Sequence, residues 1–165
     1  MSTKSPSSPR GASPRHFDSL AQEAFLNLWR TYDRLRTFED ALFGQYDLTP
    51  QQYNALRLLR GEYPGKLPTL VLASRLVSRA PDITRLLDKL ADRGLVERER
   101  QPANRRVVLV GITPAGQTLL KELDPAVREC HQRQLGHLSP EQLRQLIDLL
   151  QAAREPHEEA DSIWR

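Results

Sequence analysis

The sequence predicts a mainly α fold with a small β-hairpin, α+β in class, on three observations. Residues 70–77 and 79–93 read as two short helices separated by a break at Ser78, and Gly94 stops the second. Residues 95–100 and 107–112 then form two runs of strand-like composition, with β-branched Val96, Val108 and Val110, around a polar loop broken by Pro102. Long apolar stripes of helical period flank this segment on both sides. The expected architecture is therefore a winged helix-turn-helix lobe set in a helical dimerisation layer.

Residues 1–15 are rich in serine and proline, offer no apolar period to bury and read as a disordered tail. Residues 16–48 carry the first long helix, with Phe17, Leu20, Ala24, Leu28, Tyr32, Leu35 and Leu42 at helical spacing and Phe25, Trp29 and Phe38 on neighbouring rows. That is more apolar surface than one small lobe covers, and the surplus points to a partner helix. Thr49-Pro50-Gln51-Gln52 has the form of an N-cap, a proline at the first helical position and a capping box. It opens the lobe at residues 49–112. Tyr53, Leu56 and Leu59 line its first helix to Gly61, residues 62–68 read as a loop, and Thr69 is the expected cap of the next helix. Thr113-Pro114 and Ser139-Pro140-Glu141-Gln142 repeat the start signal in residues 113–154. There Leu119, Leu120, Leu123, Val127, Cys130 and Leu135, then Leu143, Leu146, Ile147 and Leu150, make two further stripes. Pro125 should kink the first of these helices. Residues 155–165 form a charged tail.

Within the lobe, Ile83, Leu86, Leu87 and Leu90 fall on one helical face, which must be buried. The opposite face carries Arg85, Asp88 and Asp92 flanked by Thr84 and Lys89, with Ser78, Arg79 and Asp82 assigned to the first turn. Such a helix presents guanidinium and hydroxyl groups outward in a form that a major groove accepts. Arg98, Arg100, Arg105 and Arg106 lie on or beside the wing, against Glu97 and Glu99 at its base. Adjacent arginines at a protruding tip suit a narrow minor groove of enhanced negative potential. A solvated charged loop is the plainer alternative.

Charge distribution agrees. The chain has net charge +3, but residues 66–112 hold ten basic against five acidic residues, and the remainder fourteen against sixteen. No apolar run reaches membrane-spanning length and no signal-peptide core is present, so a cytoplasmic protein is expected. One cysteine, Cys130, excludes an intramolecular disulfide. His131 and His137 have no cysteine or carboxylate partner at ligand spacing, and no metal or other cofactor is expected. The sequence has no phosphate-binding glycine loop and no nucleophile elbow, so an enzyme is not expected.

The runs Leu72-Ala73-Ser74-Arg75-Leu76, Asp82-Ile83-Thr84-Arg85-Leu86-Leu87-Asp88-Lys89-Leu90, Arg93-Gly94-Leu95-Val96-Glu97-Arg98 and Ile112-Thr113-Pro114-Ala115-Gly116 together resemble the MarR family of bacterial winged-helix transcription regulators. The resemblance extends over about residues 20–150. It implies an obligate homodimer on a palindromic double-stranded operator, nucleoid-associated when bound, and usually a repressor released by a small aromatic or phenolic ligand or by oxidation. The family's wing arginine corresponds to Arg106. Where members often carry a basic residue and an aspartate, this chain has Ala103 and Asn104. The salt bridge that often braces the wing is thereby removed. An effector pocket is expected among Phe25, Trp29, Arg30, Tyr32 and Tyr53, ordinary core aromatics being the alternative. DNA contacts are expected from Ser78, Arg79, Asp82, Thr84, Arg85, Lys89, Arg105 and Arg106. Two competing functions stay open: a winged helix that binds protein rather than DNA, and a redox-responsive regulator acting through Cys130, whose position differs from the N-terminal sensing cysteine of the peroxide-responsive branch.

Overall fold

The computed structural model describes residues 17–78, 82–101, 103–160 and 162–164, with Arg105 described by its backbone alone. Its elements run α1 (Leu20–Gly44), α2 (Pro50–Glu62), β1 (Leu67–Pro68), α3 (Thr69–Arg75), α4 (Ile83–Asp92), β2 (Val96–Gln101), β3 (Asn104–Ile112), α5 (Pro114–Leu135) and α6 (Pro140–Arg154), closed by a 3-10 turn at Glu155–His157. The chain divides inside α1 into two units, Met1–Arg34 and Leu35–Arg165. In the first, Leu20, Phe25, Leu28, Trp29 and Tyr32 are all exposed, and the Phe25 and Trp29 rings lie 6.2 Å apart, tilted by 53°.

The second unit holds the lobe. Thr49 accepts the amide of Gln52 at 3.2 Å while the Gln52 side chain accepts the Thr49 amide at 2.9 Å, so the capping box forms and α2 starts where the sequence signals it. Leu56 and Leu59 of α2, Leu72 of α3, Leu87 and Leu90 of α4, Val110 of β3 and Leu120 and Leu123 of α5 are the largest fully buried side chains. The apolar row on α4 is thus the inward face, with Ile83 partly buried at its edge. The strands form an antiparallel sheet in the order β1-β3-β2.

Several expectations need correction. The loop over residues 62–68 contains an edge strand, Leu67 facing Val110 and Pro68 facing Leu109; proline is tolerated there because the free side of an edge strand needs no ladder donor. Thr69 is the first residue of α3 rather than its cap, and its hydroxyl donates to the Val108 carbonyl at 3.1 Å. The hairpin extends further than its apolar residues, since Gln101 pairs with Asn104 beyond a register shift at Arg100–Gln101. Backbone ladder bonds continue the ribbon where side-chain burial has ended. α5 contains Pro125 within its length, between the buried Leu123 and Val127.

α4 ends in a Schellman motif. Gly94, at φ +67°, donates to the Ala91 carbonyl at 2.8 Å and Leu95 to the Leu90 carbonyl at 3.0 Å. The Leu95 carbonyl then accepts the Thr113 amide at 3.1 Å, and the Thr113 hydroxyl donates to the Gly94 carbonyl at 2.6 Å. Gly116 lies beneath this junction. A Cβ there would overlap the Leu95 carbonyl oxygen and come within 2.8 Å of Ile112 Cγ1. Two polar links tie the lobe to its neighbours: Arg60 of α2 meets both Asp124 oxygens of α5 at 3.0 Å, and Arg93 donates to the Asp47 and Tyr46 carbonyls in the turn after α1 at 2.6 and 3.0 Å.

Gly116→Ala should therefore destabilise the lobe by about 1–3 kcal/mol, as over-packing does, although glycine to alanine within a helix ordinarily stabilises. Urea denaturation of both proteins measures the sign.

Candidate nucleic-acid interface

The recognition face is built by α4 and the wing. Asp82 is the N-cap of α4, its carboxylate accepting the Arg85 amide at 2.8 Å. This corrects the expected first turn, because the helix begins at Ile83 and Ser78 lies upstream in the bend after α3, its hydroxyl accepting a hydrogen bond from Gln51 at 3.3 Å. Asp82 is engaged with its own helix. Thr84, Arg85 and Lys89 are exposed on the outer side of α4, as expected. Arg79 and the side chain of Arg105 lie outside the described residues.

Between α4, the start of α3 and the wing runs a cleft of about 630 Å³. Thr69, Leu70, Thr84, Arg98, Arg100 and Arg106 are among its lining residues. The other flank of α4 borders a cleft of about 470 Å³ containing Gln51, Asp82, Arg85 and Lys89. The structure thus sets Thr84 and Arg106 on one trough and Arg85 and Lys89 on the opposite flank of the same helix. Arg100, Leu70 and Gln51 are additions to the expected set. Strand alternation carries the signal for Arg100, since residues two apart in β2 share a face.

Glu97, Glu99 and Asp88 are each held in an ion pair. Lys66 reaches Glu97 at 3.0 Å and Glu99 at 2.7 Å, and these two hydrogen bonds push its pKa up. Its stem crosses Gly111, where a Cβ would stand 2.9 Å from Lys66 Cγ. Asp88 pairs with Arg98. At the tip Asn104 Oδ1 accepts the Arg106 amide at 3.1 Å, an Asx contact.

The residues expected in an effector pocket fall in different units. Phe25, Trp29 and Tyr32 are exposed on the first unit, with Arg30 3.7 Å from Asp33. Tyr53 belongs to the second, half-buried, with its ring stacked on Phe43 at 4.4 Å; burial pushes its phenol pKa up. Cys130 is buried in α5, beside a cleft of about 420 Å³ that Phe38, Leu42, Glu129 and Arg133 also line. Burial, reinforced by the Glu39 carboxylate and only partly offset by Arg133, pushes its thiol pKa up. A thiolate sensor needs the reverse.

A capped helix with an exposed polar face, a cationic wing and a trough between them define the class, a winged helix-turn-helix transcription regulator with a DNA-binding fold. The MarR family model matches residues 48–108. Among curated relatives, the transcriptional regulator HosA of Escherichia coli O111:H- is 31% identical over 104 residues, covering 63% of this chain and 76% of HosA. A MarR transcription factor from Planctomyces limnophilus has a crystal structure that is 57% identical, covers 83% of this chain and 99% of its own, and superposes with a TM-score of 0.67. BpsR of Bordetella bronchiseptica, whose structure describes regulation of its DNA binding by 6-hydroxynicotinic acid, is 25% identical over 86% of this chain and 97% of its own, with a TM-score of 0.72. The chain belongs to the MarR family.

A thiol with a raised pKa is scarcely ionised at neutral pH. Cys130 should react with a disulfide reagent at pH 7.4 at least about ten-fold more slowly than a free thiol, faster as pH rises, and at ordinary speed in denaturant. Fast labelling of the native protein would restore the redox reading.

Proposed function

We propose that the protein is a homodimeric repressor that binds a palindromic operator in double-stranded DNA and is released by a small aromatic ligand. The observation that carries this is the trough between α4 and the wing, because Thr84 of the helix and Arg100 and Arg106 of the wing line it together. Arg85, Thr84 and Lys89 meet base edges and phosphates in the major groove, while Arg106 enters the flanking minor groove and Arg105 holds phosphate. A wing that bound protein would present aromatic or aliphatic groups at its tip; this one presents arginine.

Dimerisation is supported by apolar surface left uncovered in one chain. Leu20, Phe25, Leu28, Trp29 and Tyr32 on α1 and Ile147 and Leu149 on α6 are exposed, and no residue of α6 is buried. Two lobes held by such a layer present two recognition helices to half-sites about 34–36 Å apart. The ligand reading rests on the exposed aromatic row Phe25, Trp29 and Tyr32, with Arg30 beside it for a carboxylate, and on the precedent of BpsR. By linkage such a ligand weakens DNA binding only if it prefers the DNA-incompatible state.

Selection of duplexes from a random pool, followed by salt titration on the enriched site, tests the proposal. An inverted repeat with steep salt dependence is expected. No enrichment would favour the protein-interaction reading. Arg106→Ala should weaken operator binding and lower the salt slope by about one. Arg85→Ala should cost about 1–3 kcal/mol and relax preference at one position if Arg85 reads a base. A uniform loss over all sequences would make it a phosphate contact.

A further inference from the structure

Asp88 is an acidic residue on the outward face of α4, where a duplex would bring phosphates. Its carboxylate is turned to the wing and held by Arg98. The same guanidinium extends its other terminal nitrogen to the Thr84 carbonyl at 3.5 Å, so it spans one turn of the recognition helix. The Arg98 side chain is only 26% exposed, against 52% for Asp88, and its Nε is buried without a partner. A cation serving only as a solvated charge would turn that nitrogen to water. This one is kept in place between helix and strand.

Its stem is anchored too. Arg98 stands opposite Val110, which is fully buried in β3. On the other face of β2, Glu97 and Glu99 are tied to Lys66. β2 is therefore gripped from both faces, by Lys66 on one and by Asp88 on the other. Asn104 makes a neutral contact at the tip, so the ion pair nearest the recognition helix lies at the base of the wing.

We infer that Asp88 and Arg98 are a positioning pair: they fix the wing against the recognition helix, and so fix which flanking base pairs Arg106 meets once α4 is seated. The inference rests on the DNA-binding reading. Neither residue needs to touch DNA. Helix and wing then move as one body, and minor-groove preference is coupled to major-groove registration.

The pair makes a prediction opposite to simple electrostatics. Removing a negative charge from a DNA-facing helix ordinarily tightens binding. Asp88→Asn should instead weaken binding of the full-length protein to its enriched duplex about five- to thirty-fold, lower the salt slope toward that of Arg106→Ala, and blur preference at flanking positions while central positions keep theirs. Asp88→Glu should restore most of the loss. In an Arg106→Ala background, Asp88→Asn should add nothing, because the wing contact it positions is already gone. Amide exchange of β2 and β3 in free protein should quicken in Asp88→Asn with the urea midpoint little changed, which separates loosening of the wing from unfolding. Tighter or unchanged binding by Asp88→Asn, or losses that add to those of Arg106→Ala, would overturn the positioning role and leave the DNA reading intact. Failure of the unaltered protein to enrich any duplex would remove both.

Discussion

The lobe depends on a backbone junction where four elements meet. α4 must stop within one residue and reverse into β2, and β3 must turn into α5 at the same point. Gly94 supplies the left-handed conformation for the first turn, and Thr113 closes the second by bonding through its amide and hydroxyl to the carbonyls of Leu95 and Gly94. Gly116 lets α5 begin against that carbonyl. The position of the wing follows from these contacts, because β2 leaves the junction at Val96 and β3 returns to it at Ile112. Recognition helix, wing and the first turn of α5 therefore share one anchor.

From this anchor the lobe is joined to the long helices by polar links as well as by the apolar core. Arg60 and Asp124 connect α2 to α5, and Arg93, the C-cap of α4, takes two carbonyls just past the end of α1. Gln134 in α5 donates to the Leu35 carbonyl at 2.9 Å, a satisfied buried amide that pins α5 to the later part of α1. These links are directional. Apolar contacts, by contrast, allow sliding.

Much of this fold was legible because its signals are local. The three caps at Thr49, Thr113 and Ser139 each lie within four residues of their partners, and the α4 stripe repeats at the helical period, so both survive in one dimension. β1 was not legible. Leu67 and Pro68 carry no strand pattern of their own and form one only by pairing with Val110 and Leu109 some forty residues on. Asp82 shows a different ambiguity: an aspartate before Ile83-Thr84-Arg85 suits either a DNA contact or a helix cap, and the start of α4 decides for the cap. The Asp88–Arg98 pair was hidden for the same reason as β1, since a helical wheel places Asp88 outward without showing that a strand passes beside it.

Charge placement explains how a chain of net charge +3 can present a cationic face. Of the five acidic residues between Lys66 and Ile112, four are engaged: Asp82 by a backbone amide, Asp88 by Arg98, and Glu97 and Glu99 together by Lys66. Among the described residues, Arg85, Lys89, Arg100 and Arg106 make no ion pair. Surface pairs such as these contribute little to stability, each on the order of 0–1 kcal/mol. Their larger effect is on the field: Asp88 and Arg98 cancel within a few ångströms and Lys66 offsets one of the two glutamates it holds, so Arg85, Lys89, Arg100 and Arg106 weigh more at the distance of a phosphate.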